Sequence, residues 1–177
     1  ETGRRFLRYS ADSNLKKIVL ECGGKNPAIV LDDAEELDLV AEHLINASFW
    51  NMGENCSANS RLIVQENIKE ALLDKMLAHL RDWKTGDPLD PSNYLGSLVD
   101  VEHFKKVCSY LDNDNIITGG VTESPCYVLP TIVDKVDPNS KLAQEEVFGP
   151  ILSVITVKSF DEAIAVANNT DYGLAAS

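Results

Sequence analysis

Long apolar runs are missing from this 177-residue chain. No stretch approaches the ~18–20 apolar residues needed to cross a bilayer, and the charged opening ETGRRFLRYS lacks the apolar centre of a signal peptide, so no membrane role is expected. Cysteine is sparse. Cys22, Cys56, Cys108 and Cys126 form no CxxC and no Cys/His pairing at zinc spacing, so neither a disulfide framework nor a bound metal is expected. Basic residues are outnumbered, 16 against 28 acidic ones, and are scattered rather than striped. A net charge of −12 repels phosphate backbones, which excludes nucleic acid as an expected partner. His43 and His79 fall on amphipathic stretches and His103 opens another, so each reads as a surface or boundary residue. What remains is a cytoplasmic protein with free thiols, one of them a candidate for reactivity.

What is present is the material of one globular core. Hydrophobic residues make up 44% and charged residues 25%, and a chain of this size buries roughly 70% of its unfolded surface. Two short apolar runs, KIVLE and AIVL, flank the turn signal Gly23-Gly24-Lys25-Asn26-Pro27. Asp33-Ala-Glu-Glu36 has capping-box spacing and opens a helical pattern through Leu37, Val40, Leu44 and Ile45, running out near Asn51-Met-Gly53. Arg61–Val64 is strand-like. Asn67 reads as the cap of a long amphipathic helix through Leu72, Met76 and Trp83, ended by Thr85-Gly86-Asp87-Pro88. A helix is expected over about 100–111. After Gly119-Gly120 come a short strand at Tyr127-Val-Leu129 and another over Ile151–Val157, and Ser159-Phe-Asp-Glu162 is a second capping box. Strands alternating with helices of ten or more residues define an α/β class with a largely parallel sheet flanked by helices.

Three stretches carry candidate chemistry. In Leu20-Glu21-Cys22-Gly23-Gly24-Lys25-Asn26-Pro27, a carboxylate ends an apolar run. Partial burial there raises a carboxylate pKa toward the range of a general base. In Asn51-Met-Gly53-Glu54-Asn55-Cys56-Ser57, a thiol follows a helix end and a glycine-bearing turn. Local electrostatics decide whether such a thiol becomes a nucleophile. In Glu145-Glu146-Val147-Phe148-Gly149-Pro150, a carboxylate suits the two hydroxyls of a ribose and a phenyl ring suits a flat partner. Read alone, each has a plainer meaning, and that meaning is the favoured one: a strand-end carboxylate, a small buried thiol, a solvated acidic turn.

Together, LECGGKNP, then GENC about 35 residues later, then EEVFGP, are similar in order and spacing to the aldehyde dehydrogenase superfamily. WKTGDPLDPSNYLGSLVD and DEAIAVANNTDYGLAAS resemble its lesser segments, so the resemblance covers essentially the whole chain. It implies the family's catalytic-domain fold, truncated, with residues 1–18 closing the cofactor-binding domain and 19–177 forming the catalytic domain. It further implies Cys56 as nucleophile, its backbone amide as half of an oxyanion site, and Glu21 as the base that activates water. Glu146 would bind the nicotinamide-side ribose, Phe148 would lie near the nicotinamide, and Asn55 and Ser57 would line the aldehyde tunnel. The implied reaction oxidises an aldehyde to its acid with NAD or NADP through a thiohemiacetal and a thioester, without a metal, in a homodimeric or homotetrameric parent. The alternatives are an acylating relative that passes the acyl group to coenzyme A, which the presence of Glu21 disfavours, and a folded domain without chemistry. The GENC stretch and the GDPLDP loop resemble enzymes acting on aminated aldehydes.

Three departures stand out. Glu54 occupies a position where the family usually has Gln, and a negative charge there disfavours the thiolate unless it is turned away. Ser97 replaces a common Pro. Segment 111–126 is shorter than the family's loops, as though residues were missing from it. The family's glycine-rich nucleotide turn is not among these residues, so the chain by itself is expected to bind no cofactor. One hydrogen-bonded carboxylate does not offset the cost of immobilising a flexible dinucleotide. Calorimetric titration of the isolated chain with NAD+ is expected to show no measurable binding; micromolar affinity would overturn this.

Overall fold

The computed structural model describes residues 1–112 and 115–177. Five strands form one sheet in the order β1-β2-β5-β4-β3: β1 (Asn26–Val30), β2 (Asn59–Gln65), β3 (Ile116–Val121), β4 (Val128–Val133) and β5 (Ile151–Val157). The pairs β1/β2, β2/β5 and β4/β5 are parallel, while β3 joins β4 antiparallel at the edge. A parallel strand covered on both faces must be apolar at consecutive positions rather than alternate ones, and β2 and β5 read that way. Leu62, Val64, Leu152 and Val154 pack on one face against α2 (Leu37–Phe49) and α3 (Lys69–Leu80), where Phe49, Leu72 and Met76 fill the core. Ile63 and Val157 point to the other face, under α6 (Phe160–Asn168). Ile151 and Ile155 meet Val107 of α4 (Val101–Cys108) and Leu142 of the one-turn α5 (Lys141–Gln144). The largely parallel sheet expected from the sequence is present.

Several local expectations are corrected. Lys17–Glu21 forms no strand: Val19 is 80% exposed and the segment lies outside the sheet. A β-strand is held by its neighbour's hydrogen bonds, and apolar composition alone does not supply one. α2 starts at Leu37 with Glu36 as its cap in the left-handed region, so the Asp33–Glu36 capping box does not form. Asn67 does not cap α3: the helix's N-cap is Ile68, with no side-chain cap bond, and the Asn67 amide donates to Asp32. The helix stops at Leu80, short of Trp83. β3 lies where a loop was expected, since Gly119 and Gly120 are unfavourable strand residues; the pairing shifts register beside both. The gap expected within 111–126 falls partly on Asn113 and Asp114, outside the described residues. At the second expected box the cap forms, Ser159 Oγ accepting from Glu162 N at 3.3 Å, but the Glu162 carboxylate accepts from Lys158 N, one residue before the cap. Preceding the sheet, α1 (Thr2–Ala11) buries none of its residues.

Arg61, 1% exposed in β2, is the main polar tie across the layers. Its guanidinium donates to Lys25 O at 2.9 Å and to Val166 O and Ala167 O at 3.1 and 2.8 Å. The last two are terminal-turn carbonyls of α6, where a cation also meets the negative end of the helix dipole. Replacing Arg61 by Met is expected to cost about 3 kcal/mol: Lys25 O and Ala167 O lose this donor while Val166 O keeps Asn169 N, and a buried carbonyl left without a donor costs about 1–3 kcal/mol. Arg61→Lys should recover only part, since one ammonium does not reproduce the planar fork. Urea midpoints measure both, and a Met variant within about 1 kcal/mol of wild type would refute the tie.

Candidate active site around Cys56

The thiol is presented by a turn that the local sequence builds. After α2, Asn51 and Met52 adopt positive φ and bend the chain through Trp50–Gly53. Asn55 then closes a tight turn: its carbonyl accepts from Ala58 N at 3.1 Å, and its Oδ1 accepts from Ser57 N and Ser57 Oγ. Cys56 stands at the apex, exposed, with β2 beginning three residues later.

That turn is pinned from below by the glycine-rich segment. Asn26 donates its amide to Cys56 O at 2.7 Å and to Ala58 O at 3.0 Å, while its Oδ1 accepts from Ala175 N. Gly24 passes beneath so closely that a Cβ there would lie 2.6 Å from Cys56 O. The third stretch arrives on the same turn. Glu146 Oε1 accepts from Gly24 N at 2.9 Å, and a Cβ on Gly23 (φ +80°) would sit 2.4 Å from the same carboxylate. Three stretches remote in sequence thus meet at one place.

Not every expected residue joins them. Asn55, Glu146 and Phe148 line a narrow crevice with Gly24. Asn55 and Ser57 also line a larger cavity of about 660 Å³ beside Trp50 and the outer edge of β1. Glu21 is exposed and lines a separate cavity of about 450 Å³ against α1. Among the described residues, no hydrogen bond or ion pair links it to the Cys56 turn. The expected desolvation of Glu21 is therefore absent: the segment carrying it never enters the sheet. Among the described residues no cluster of three or more His, Cys, Asp or Glu side chains could hold a metal ion.

Further residues emerge from the geometry. Glu54 is turned away from the thiol, its carboxylate accepting from Val99 N at 3.1 Å. His103, expected at the surface or its boundary, is half-buried and reaches Phe148 O at 2.6 Å. Lys25 is 1% exposed, and its Nζ has no hydrogen-bond partner among the described residues. Burial lowers its pKa to about 7; the Arg61 charge adds to this, while Glu146 and Glu145 oppose it. Glu54 is marked in the sequence by its departure from the family's usual Gln, whereas Lys25 shows only as a charge adjoining an apolar run.

The α/β layers carry an exposed thiol on a turn packed against a glycine-rich strand entry. The profile of the aldehyde dehydrogenase family matches residues 1–177, and the chain belongs to that family. It is 59% identical to the aminoacetaldehyde dehydrogenase of Pseudomonas aeruginosa, over 99% of this chain and 36% of that protein. Its fold matches the gamma-glutamyl-gamma-aminobutyraldehyde dehydrogenase of Burkholderia cenocepacia with a TM-score of 0.93 at 44% identity, covering 99% of this chain and 37% of the other. An indole-3-acetaldehyde dehydrogenase of P. syringae, solved in complex with NAD+, superposes with a TM-score of 0.92 at 40% identity, covering 98% and 37%. The chain thus spans about a third of the length of these relatives.

Lys25 makes a pH prediction. Folded, it gives up its proton near pH 7; an ordinary lysine keeps it to 10.5. Between these values the unfolded chain binds more protons, so stability rises with pH, and this contribution is lost as pH falls toward 7. Its slope is at most about 1.4 kcal/mol per pH unit. Urea unfolding from pH 7 to 9.5 is expected to show the rise in wild type and a flatter profile in Lys25→Met. Identical slopes would refute it.

Proposed function

We propose that this chain is the thiol-bearing part of an NAD-dependent aldehyde dehydrogenase that oxidises an aldehyde to its carboxylic acid. The observation that carries the reading is the convergence of the Gly23–Gly24 turn, the Cys56 turn and Glu146 on one another. Cys56, exposed at a turn apex, is open to an incoming carbonyl, and Asn55 and Ser57 flank it. Glu146 and Phe148 suit the ribose and nicotinamide end of the cofactor: a carboxylate for two hydroxyls and a ring for a ring, on a crevice that includes the thiol turn. That relatives are solved with NAD+ supports this cofactor over NADP. Residues 1–18, whose helix buries nothing, are assigned to the end of the cofactor domain and 19–177 to the catalytic domain.

In this reading the Cys56 thiolate adds to the aldehyde carbon and forms a thiohemiacetal, with the Cys56 amide donating to the oxyanion. NAD+, when bound, supplies the acceptor for the hydride whose loss turns that adduct into a thioester. Glu21 takes a proton from water, the hydroxide attacks the thioester carbonyl, and the acid leaves as the thiol is restored. Glu21 is exposed to solvent, and the presence of a carboxylate at this position favours hydrolysis over transfer to coenzyme A. The names of two relatives point to aldehydes carrying an amino or amide nitrogen as substrates. A homo-oligomeric, cytoplasmic parent enzyme completes the proposal on the family resemblance; among the described residues no helix is long and apolar enough to cross a membrane.

Rapid-mixing kinetics on the complete enzyme tests the division of labour. Glu21→Gln should keep the first-turnover burst of NADH while lowering the steady-state rate about 10²–10⁴-fold, the usual contribution of a positioned base. Cys56→Ala should abolish the burst. A Glu21→Gln enzyme without a burst would reassign Glu21 to activating the thiol.

A further inference from the structure

A three-membered polar bracket joins the thiol loop to the segment proposed to face the cofactor. Glu54, two residues before Cys56, has a side chain only 11% exposed, and its Oε1 accepts from Val99 N at 3.1 Å. The same oxygen lies 3.4 Å from Nε2 of His103, itself 15% exposed. His103 Nε2 is also 2.6 Å from Phe148 O. A carbonyl and a carboxylate oxygen can only accept, so Nε2 carries the hydrogen and the tautomer is fixed by chemistry. The imidazole also packs edge-on against the Phe148 ring, centroids 6.2 Å apart. Its backbone is held in turn, because His103 N donates to the Asp100 cap of α4 at 2.7 Å.

The segment so held needs holding. Phe148 has φ 60°, a left-handed conformation that a bulky residue persists in only when its surroundings impose it. Beside it, Gly53 approaches so closely that a Cβ would come within 2.4 Å of Gly149 O. The thiol loop and the Glu146–Pro150 segment therefore share one wall, and Glu54 with His103 supplies its directional bonds.

We infer that Glu54 and His103 are positioning residues that fix the cofactor-facing segment at Phe148 relative to the Cys56 loop. The inference rests on the aldehyde dehydrogenase reading above. Neither side chain reacts; each acts through Phe148 and the loop. Losing the bracket should loosen Phe148 and Glu146 and leave the apex of the thiol turn, held separately by Asn26, in place. Cofactor binding and first-turnover rate should then suffer while aldehyde binding does not.

The experiment measures NADH burst rate and KM for NAD+ and for aldehyde in the complete enzyme. His103→Ala is expected to raise KM for NAD+ and slow the burst, each roughly tenfold, with the aldehyde KM within about twofold of wild type. His103→Gln, whose amide can donate to Phe148 O, should recover most of the loss. Glu54→Ala should resemble His103→Ala, and the double variant should be little worse than either, as expected of residues acting as one unit. Should His103→Ala fail to fold, Glu54→Ala and His103→Gln carry the comparison. Unchanged NAD+ kinetics in the alanine variants, an aldehyde KM rising as much as that for NAD+, or a Gln variant as impaired as Ala would overturn the inference. A wild-type enzyme that formed no NADH from any aldehyde would instead remove the underlying reading, and this one with it.

Discussion

Between the Gly23–Gly24 turn and the Cys56 carbonyl there is no room for even one methyl group, and that contact organises everything around it. Backbone meets backbone there because no side chain intervenes. The groups so brought together must still be paired, since a buried peptide group without a partner is costly. Asn26 does this for the thiol turn, using both donor hydrogens of its amide on Cys56 O and Ala58 O. Glu146 does it for Gly24 N. The three stretches are bound by ordinary hydrogen-bond satisfaction at a place where glycine allowed them to touch.

The layers were legible in the sequence because they follow from periodicity. The 3.6-residue pattern of Leu37, Val40, Leu44 and Ile45 and the largely apolar run of β5 each needed only the local chain. The misses share a cause. Lys17–Glu21 has strand composition but no neighbour to pair with, and β3 has a neighbour but glycine-rich composition. In both, a tertiary partner decided what local preference could not. The expected helix caps show the same contrast: Ser159 caps α6, whereas Asn67, equally well placed along the chain, is drawn to Asp32 across it.

Within the site, the motif residues were recognisable by type and the supporting ones were not. Cys56, Glu146 and Phe148 sit in the stretches that named them, though Glu21 lies on an exposed segment against α1. Asn26, Arg61 and His103 act through backbone carbonyls of residues 30 or more positions distant. No spacing rule reports such contacts, because a carbonyl looks the same at every position. Arg61 and Lys25 lie side by side beneath the turn, and only Arg61 has its charge met by acceptors. An amine without a hydrogen-bond partner among the described residues is held there, its proton loosened by burial, because the layers around it are closed by everything else.

An apex thiol also has a chemical liability. Cys56 is exposed and its turn contains no second sulfur, with Ser57 following it. If an oxidant takes that thiol to a sulfenic acid, no adjacent cysteine can condense with it to form a protective disulfide. Recovery then falls to diffusible thiols, in competition with further oxidation to sulfinic acid, which most cells cannot reverse. The openness that in the proposed reaction would admit an aldehyde carbonyl would admit peroxide on the same terms, and the lifetime of such a site is set by the reducing capacity of its surroundings.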